Sequence, residues 1–233
     1  MKTRPARALG GFTLLELLII LVIIAIIVTI ALPNLLSSKL EANETAAIAT
    51  IRQVVQSQMV FVQGKEADLN VNGMGEYGTF GELSGNVAVR AANGGTKFLA
   101  PSVINPSFRA ISPIGEMFRH GYYFRIYLPG STGEGILELP GGGADPNIDM
   151  ERAESTWCVY AWPQRYGGTG RRSFFANQNG DITFTDDADY TGPGAPLSPG
   201  AAFAGPGPMT NIDGIPAVNA VGRDGNTWRN VAK

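Results

Sequence analysis

From Phe12 to Leu32 the chain is apolar at every position except Thr13, Glu16 and Thr29. At about 1.5 Å of rise per residue, a helix over this run spans about 30 Å, the thickness of a bilayer core. Apolar all round, it does not suit the surface of a soluble core. After Pro33 the pattern changes. Ile48, Ile51, Val55, Met59 and Val62 recur at spacings of three or four, while Glu44, Arg52, Gln53, Gln56 and Ser57 fall on other faces. The pattern predicts a helix to about Gln63, with Gly64 and Lys65 as its stop. Pro33 lacks a backbone donor and crowds the preceding turn, so a kink or locally melted turn is expected over 31–35 within one long bent helix.

Beyond the helix, alternation takes over late. Residues 64 to about 120 carry Gly-rich and Pro-broken stretches ("NGMGEYGTFGELSGN", "APSVINPSF") that predict loops and one short helical turn. "GYYFRIYLPG", "STWCVYAWP" and "RRSFFANQNGDITFT" alternate and are rich in aromatic and branched residues. Asn179-Gly180 lies between two strand-like runs, the sequence signal for a type I′ hairpin. The prediction is an antiparallel sheet of three or four strands whose apolar face packs on the amphipathic part of the helix. The run "TGPGAPLSPGAAFAGPGP" from Thr191 is too rich in Gly and Pro for a helix or central strand. It predicts an extended surface loop or tail; the alternative is a segment that wraps the sheet or touches a neighbour, with Trp228 as its anchor.

Charge orients the first segment. Lys2, Arg4 and Arg7 precede it with no acid among them, which by the positive-inside rule keeps the N-terminus in the cytoplasm and sends the chain after Pro33 across the membrane. A cleavable secretory signal has a shorter apolar core. A plain signal anchor has the right length and no use for Glu16, whose carboxylate is costly in lipid without a partner.

A short basic leader followed by "GFTLLE" resembles the class III signal of type IV pilins and of type II secretion pseudopilins. The resemblance is close over about the first fifty residues and holds only in outline beyond. It implies that a prepilin peptidase cuts between Gly11 and Phe12 and methylates the new N-terminus at Phe12. It also implies that Glu16 pairs with the terminal amine of a neighbouring subunit during assembly, and that Pro33 is the family's helix-kink proline. The implied fold is α+β and pilin-like: a long bent N-terminal helix, transmembrane in one half and amphipathic in the other, on an antiparallel sheet with a loop-rich C-terminal segment. The implied segments are a leader at 1–11, a transmembrane and filament-core helix at 12–33, an amphipathic helix at 34–63, a globular head at 64–190 and the Pro/Gly-rich loop or tail at 191–233.

The remaining chemistry narrows the function. The chain has 233 residues with 18 Lys and Arg against 20 Asp and Glu, and removal of the leader deletes three of its bases and none of its acids, so no phosphate-neutralising role is expected. Arg165, Arg171 and Arg172 read as a solvated face, and no nucleic-acid partner is predicted. One histidine, His120, cannot build a Ser-His-Asp triad or a histidine metal cluster, and the chain lacks a phosphate-binding P-loop, so it is not expected to be an enzyme. One cysteine, Cys158, cannot close an intrachain disulfide and reads as a small buried hydrophobe. Asp186, Asp187 and Asp189 crowd a loop after the hairpin; they read first as a solvated acidic turn, with a Ca²⁺ site as the alternative on ligand type. No other cofactor is expected.

The expected role is a structural subunit built into a type IV pilus-like filament. The alternatives are a pseudopilin of a type II secretion system and a signal-anchored periplasmic domain that does not polymerise. The implied partners are identical or related pilin subunits, the prepilin peptidase, an inner-membrane assembly platform driven by a separate ATPase, and membrane lipid. The precursor is expected in the bacterial inner membrane with its head outside the cytoplasm, and the assembled protein in a periplasmic or cell-surface filament.

Overall fold

The computed structural model of the protein describes residues 11–91 and 94–231. Of the expected leader, all but Gly11 lies outside the described residues. The fold is α+β, with two compact units that meet in sequence between Lys39 and Leu40. Helix α1, Leu14–Gln63, runs through both. Helical structure continues through Pro33, so the melted turn expected over 31–35 is not formed. One missing N–H leaves the flanking turns bonded, and the element persists.

In the second unit α1 buries one face. Ala47, Ile51, Val54 and Phe61 are fully buried, and Ile48 and Val55 pack beside them. This face is rotated from the predicted one: Met59 is half exposed, while Glu44, Ser57 and Gln58 are buried. The polar members are held by specific partners, which hydropathy cannot anticipate. The Gln58 amide acts as a backbone mimic: its Nε2 donates to the Gly78 carbonyl at 2.7 Å and its Oε1 accepts from the Gly78 N–H at 2.9 Å. The helix ends as the sequence predicts, with Lys65 at φ +51° in the turn after Gly64.

Among the described residues the sheet has eight strands: β1 Met117–Arg119, β2 Tyr122–Pro129, β3 Gly135–Leu137, β4 Cys158–Pro163, β5 Ser173–Asn177, β6 Ile182–Thr185, β7 Ala220–Val221 and β8 Thr227–Asn230. Their order is β1-β2-β4-β5-β6-β8-β7, with β3 also pairing on β2, and all pairs are antiparallel. The strands expected from alternation are β2, β4, β5 and β6. The others are two to four residues long, too short for a periodic signal. The short helix predicted before them is α2, Phe80–Leu83, closed by a capping box between Thr79 and Glu82.

Two turns correct the hairpin assignment. Between β5 and β6 only Gly180 has positive φ, and Asn177 Oδ1 accepts from the Asn179 N–H, so Asn179-Gly180 does not form a type I′ turn. That geometry belongs to His120 and Gly121, at φ +50° and +77° between the paired Arg119 and Tyr122. A Cβ on Gly121 would also stand 3.1 Å from the Thr169 side chain, so the position suits glycine twice over.

The sheet is covered on both faces. Alternate residues of β2, β4 and β5 (Phe124, Ile126, Val159, Ala161, Phe174, Ala176) join the α1 face in one core. Their neighbours (Tyr127, Cys158, Tyr160, Trp162, Phe175) join Trp228 and residues of the C-terminal segment in a second core. The segment from Thr191 is therefore not a loose tail. Leu197, Ala201, Ala202 and Phe203 are buried, small or flat residues that fit between Pro and Gly turns against the aromatic face. Trp228 anchors the segment from β8, its indole N–H directed at Asp224.

Candidate functional site

The first unit presents the chemistry that the sequence singles out. Every residue from Gly11 to Lys39 is exposed, although most of them are large and apolar. Its most apolar stretch has a mean hydropathy of 3.2 with none of it buried, so this helix is long and apolar enough to cross a membrane. A patch this large needs a cover of lipid or protein.

The polar residues of the segment are placed by local geometry. Thr13 caps the helix: its Oγ1 accepts from the Glu16 N–H at 3.2 Å, and its carbonyl from the Leu17 N–H at 3.2 Å. Glu16 thus sits in the first turn, where the helix dipole favours a carboxylate. Its side chain is exposed, one turn beyond Phe12. Thr29 returns its hydroxyl to the Ala25 carbonyl at 2.7 Å, which removes the cost of an unpaired donor in lipid. Gly11 and Phe12 precede the helix outside regular secondary structure and are exposed, so the peptide bond between them is accessible.

The second unit holds the other predicted residues apart from one another. Asp186 pairs with Arg229 at 3.0 Å. Asp187 Oδ2 accepts from Asn226 Nδ2 at 2.6 Å and its Oδ1 from the Asp189 N–H at 2.9 Å. The turn therefore spends Asp186 and Asp187 on protein donors rather than converging three carboxylates on a point. Among the described residues no group of three His, Cys, Asp or Glu side chains is arranged to hold a metal ion. Arg172, expected on a solvated face, is tied to Glu44, while Arg165 and Arg171 are exposed. His120 is exposed in its turn, and Cys158 is a free, fully buried thiol whose pKa burial pushes well up.

Several buried acids escape the sequence reading because nothing in hydropathy marks them. Glu138 is almost wholly buried; its Oε2 accepts from the Gly81 N–H, Oε1 has no partner, and burial raises its pKa to about 8. Glu82 pairs with Arg90 at 3.0 Å, and Arg90 also lies 3.6 Å from the buried Glu76. Glu116 and Arg125 form a buried pair, with the Arg125 guanidinium 5.1 Å over the Trp162 ring.

The family profile described as "Protein of unknown function (DUF2950)" matches residues 29–189, from within the first half of α1 to just past β6. The chain belongs to the DUF2950 family. Neither the curated proteins nor the solved structures contain a match to it. The DUF2950 match rests mainly on the second unit and includes Pro33, Glu44 and Arg172; Gly11, Phe12 and Glu16 lie before it, and the C-terminal covering segment follows it.

Proposed function

We propose that this DUF2950 chain is a filament subunit, made as a membrane precursor, cut between Gly11 and Phe12, methylated at Phe12 and polymerised into a type IV pilus-like fibre through α1. The observation that carries the reading is the exposure of every residue from Gly11 to Lys39 on a helix with a single carboxylate in its first turn. An all-apolar helix is satisfied equally by lipid and by other helices, so one segment serves both a membrane pool and a fibre core. Glu16 then selects register, because a carboxylate in low dielectric favours the packing that brings it a cation, here the amine released at Phe12 of a neighbour. Partners on this reading are copies of the chain or related subunits, the peptidase, an assembly platform with its own ATPase, and lipid.

A second reading, a pseudopilin in a short periplasmic fibre, is favoured by one feature: with Cys158 as its one cysteine, the chain has no disulfide-bounded loop. The test is mass spectrometry on material sheared from the cell surface and on the membrane fraction. A chain beginning at Phe12 with one added methyl group in long sheared filaments supports the pilus. The same chain confined to membranes supports the pseudopilin. An uncleaved chain in both fractions sinks both readings and leaves a signal-anchored domain.

A further inference from the structure

We infer that the turn after α1, Asp68 to Glu76 together with Glu154, is a calcium site of the kind built by an EF-hand loop, with Glu154 in the place of the loop's own final glutamate. This goes beyond the filament reading and does not depend on it. Calcium loops of this class take ligands from positions 1, 3 and 5, from the carbonyl at 7 and from 9, often through water; a glycine occupies 6 and a bidentate glutamate 12. Counted from Asp68, the chain supplies Asp68, Asn70, Asn72, Gly73, the Met74 carbonyl and Glu76 at those first six places.

The backbone follows the same plan. Asp68 Oδ1 accepts from the Asn72 N–H at 3.1 Å and Oδ2 from the Gly73 N–H at 3.0 Å, which wraps the chain around the carboxylate. Gly73 is at φ +83°, the sharp turn that position 6 requires. Position 12 falls on Thr79, which is committed to capping α2. Glu154 enters instead from a 3₁₀ turn at Arg152–Glu154. Its Oε1 lies 2.8 Å from Asn70 Nδ2 and 2.8 Å from Asn72 Nδ2, so side chains from positions 3 and 5 and the distant glutamate converge on one point. Asn70 Oδ1 and Asn72 Oδ1 meanwhile accept from the Asn72 and Met74 N–H at 3.1 and 2.7 Å, which leaves each amide oxygen a second lone pair for an ion entering among these side chains.

Glu76 supplies an observation independent of that turn. Its side chain is fully buried beneath the loop, with Oε1 accepting from the Leu69 N–H at 2.7 Å and Oε2 without a hydrogen-bond donor. Arg90 Nη1 stands 3.6 Å from Oε2, beyond hydrogen-bonding range, and Arg90 is shared with Glu82. A buried carboxylate at position 9, short of donors, is placed to hold a ligating water, as that position often does.

The set is two carboxylates with two amides and a carbonyl, so it differs from a cluster of acids. Hard, flexible oxygen ligation of this number suits Ca²⁺ better than Mg²⁺, which demands a tighter octahedron. An open cavity of about 580 Å³ beside the loop is bordered by Met74, Asp149, Glu151 and Glu154 and by Arg152, whose charge is paired with Asp213, so the approach carries more acid than base. With three of five ligands uncharged, the expected Kd is about 0.1 mM, in the range of modules outside the cytoplasm.

The test uses the full chain in detergent after treatment with EGTA. Equilibrium dialysis with radiolabelled Ca²⁺ is expected to give about one ion bound per chain, and 10 mM CaCl₂ to raise Tm by about 5–10 °C. Asp68→Asn and Glu154→Gln, both near-isosteric, are expected to weaken Ca²⁺ at least tenfold, and Asp187→Asn to leave it unchanged. No bound calcium on the unsubstituted chain overturns the proposal without reference to any variant. Equal affinity for MgCl₂ overturns the calcium assignment, and binding lost with Asp187→Asn but kept with Glu154→Gln moves the ion elsewhere and overturns the site.

Discussion

Glu44 and Arg172 stand 128 positions apart in the sequence and 2.6 Å apart in space. The carboxylate also accepts from the Arg171 N–H at 2.8 Å, so one side chain joins α1 to the approach to β5. The Arg172 guanidinium lies 5.1 Å over Phe184 and 5.7 Å over Phe174, and its carbonyl receives the Tyr122 hydroxyl at 3.0 Å. Helix, sheet and β4–β5 loop thus share one polar node midway along α1, close to where the second unit begins.

Removing Glu44 leaves Arg172 and the Arg171 N–H without their acceptor. Arg172 is about one-third exposed, which limits the loss because water can reach the guanidinium. Glu44→Ala is expected to cost about 2 kcal/mol, seen as a urea midpoint lower by roughly 1 M with unchanged slope. Glu44→Gln keeps an acceptor and is expected to cost about half as much. An unchanged midpoint for Glu44→Ala would show that the node adds no stability.

Glu138 gives stability a pH dependence of unusual sign for a carboxylate. Its folded pKa is pushed up to about 8, chiefly by burial and further by Glu82, against an ordinary 4.5 in the unfolded chain. Between these values the folded form holds a proton that the unfolded form has released, so stability falls as pH rises through that window and levels off above it. Glu76, also raised, acts in the same direction; Glu134, lowered by its bonds to Thr132, acts only at more acid pH and in the opposite direction. Urea titrations from pH 5 to 9 are expected to give a falling midpoint that Glu138→Gln flattens. An equally steep fall in Glu138→Gln would assign the effect to other groups.

The C-terminal cover is expected to be required for folding of the second unit. Trp228 is fully buried against Tyr160 and Phe175, with ring centroids 6.0 and 6.1 Å away, and β8 adds to β6. Trp228→Ala should cost about 3–5 kcal/mol by lost packing and the cavity left behind. Trypsin digestion reads the same point: in the native protein Arg223, bound to the Asn211 and Asp213 carbonyls, should resist cleavage, and in Trp228→Ala it should be cut early. Rapid cleavage at Arg223 in the unsubstituted chain would return the segment to a loose tail.

What the sequence discloses follows from how far apart the cooperating residues lie. The extent of α1 and the strands β2, β4, β5 and β6 are written locally, in apolar runs and in alternation such as that of Tyr122 to Pro129. The helix face is read about one residue out of place, because Glu44 and Gln58 are buried on account of Arg172 and Gly78, partners that no local pattern names. Strand β7 has two residues and pairs only with β8, so no periodicity marks it. Ala201, Ala202 and Phe203 lie among Pro and Gly that argue for a loop, and only the aromatic face opposite explains their burial. Asp68-x-Asn70-x-Asn72-Gly73 is a legible spacing, but its missing final glutamate arrives from Glu154, 82 positions away from Asn72.

The filament reading makes its sharpest demand at Glu16. If the carboxylate serves only as a first-turn acid beside the Thr13 cap, its loss costs a few tenths of a kcal/mol to about 1 kcal/mol of helix stability and changes nothing else. If it selects register by pairing with the Phe12 amine of a neighbour, Glu16→Ala leaves membrane insertion and cleavage intact and abolishes long fibres. Glu16→Gln separates the two, since it keeps size and hydrogen bonding and removes the charge. The expected result for both variants is processed chain at normal level in the membrane fraction, with sheared filaments reduced at least tenfold. Gly11→Val supplies the upstream control: it should leave the chain uncut, and so deny Glu16 its cation in a chain that still carries the carboxylate. Abundant fibres from Glu16→Gln would confine Glu16 to the helix cap and remove charge pairing from the assembly mechanism.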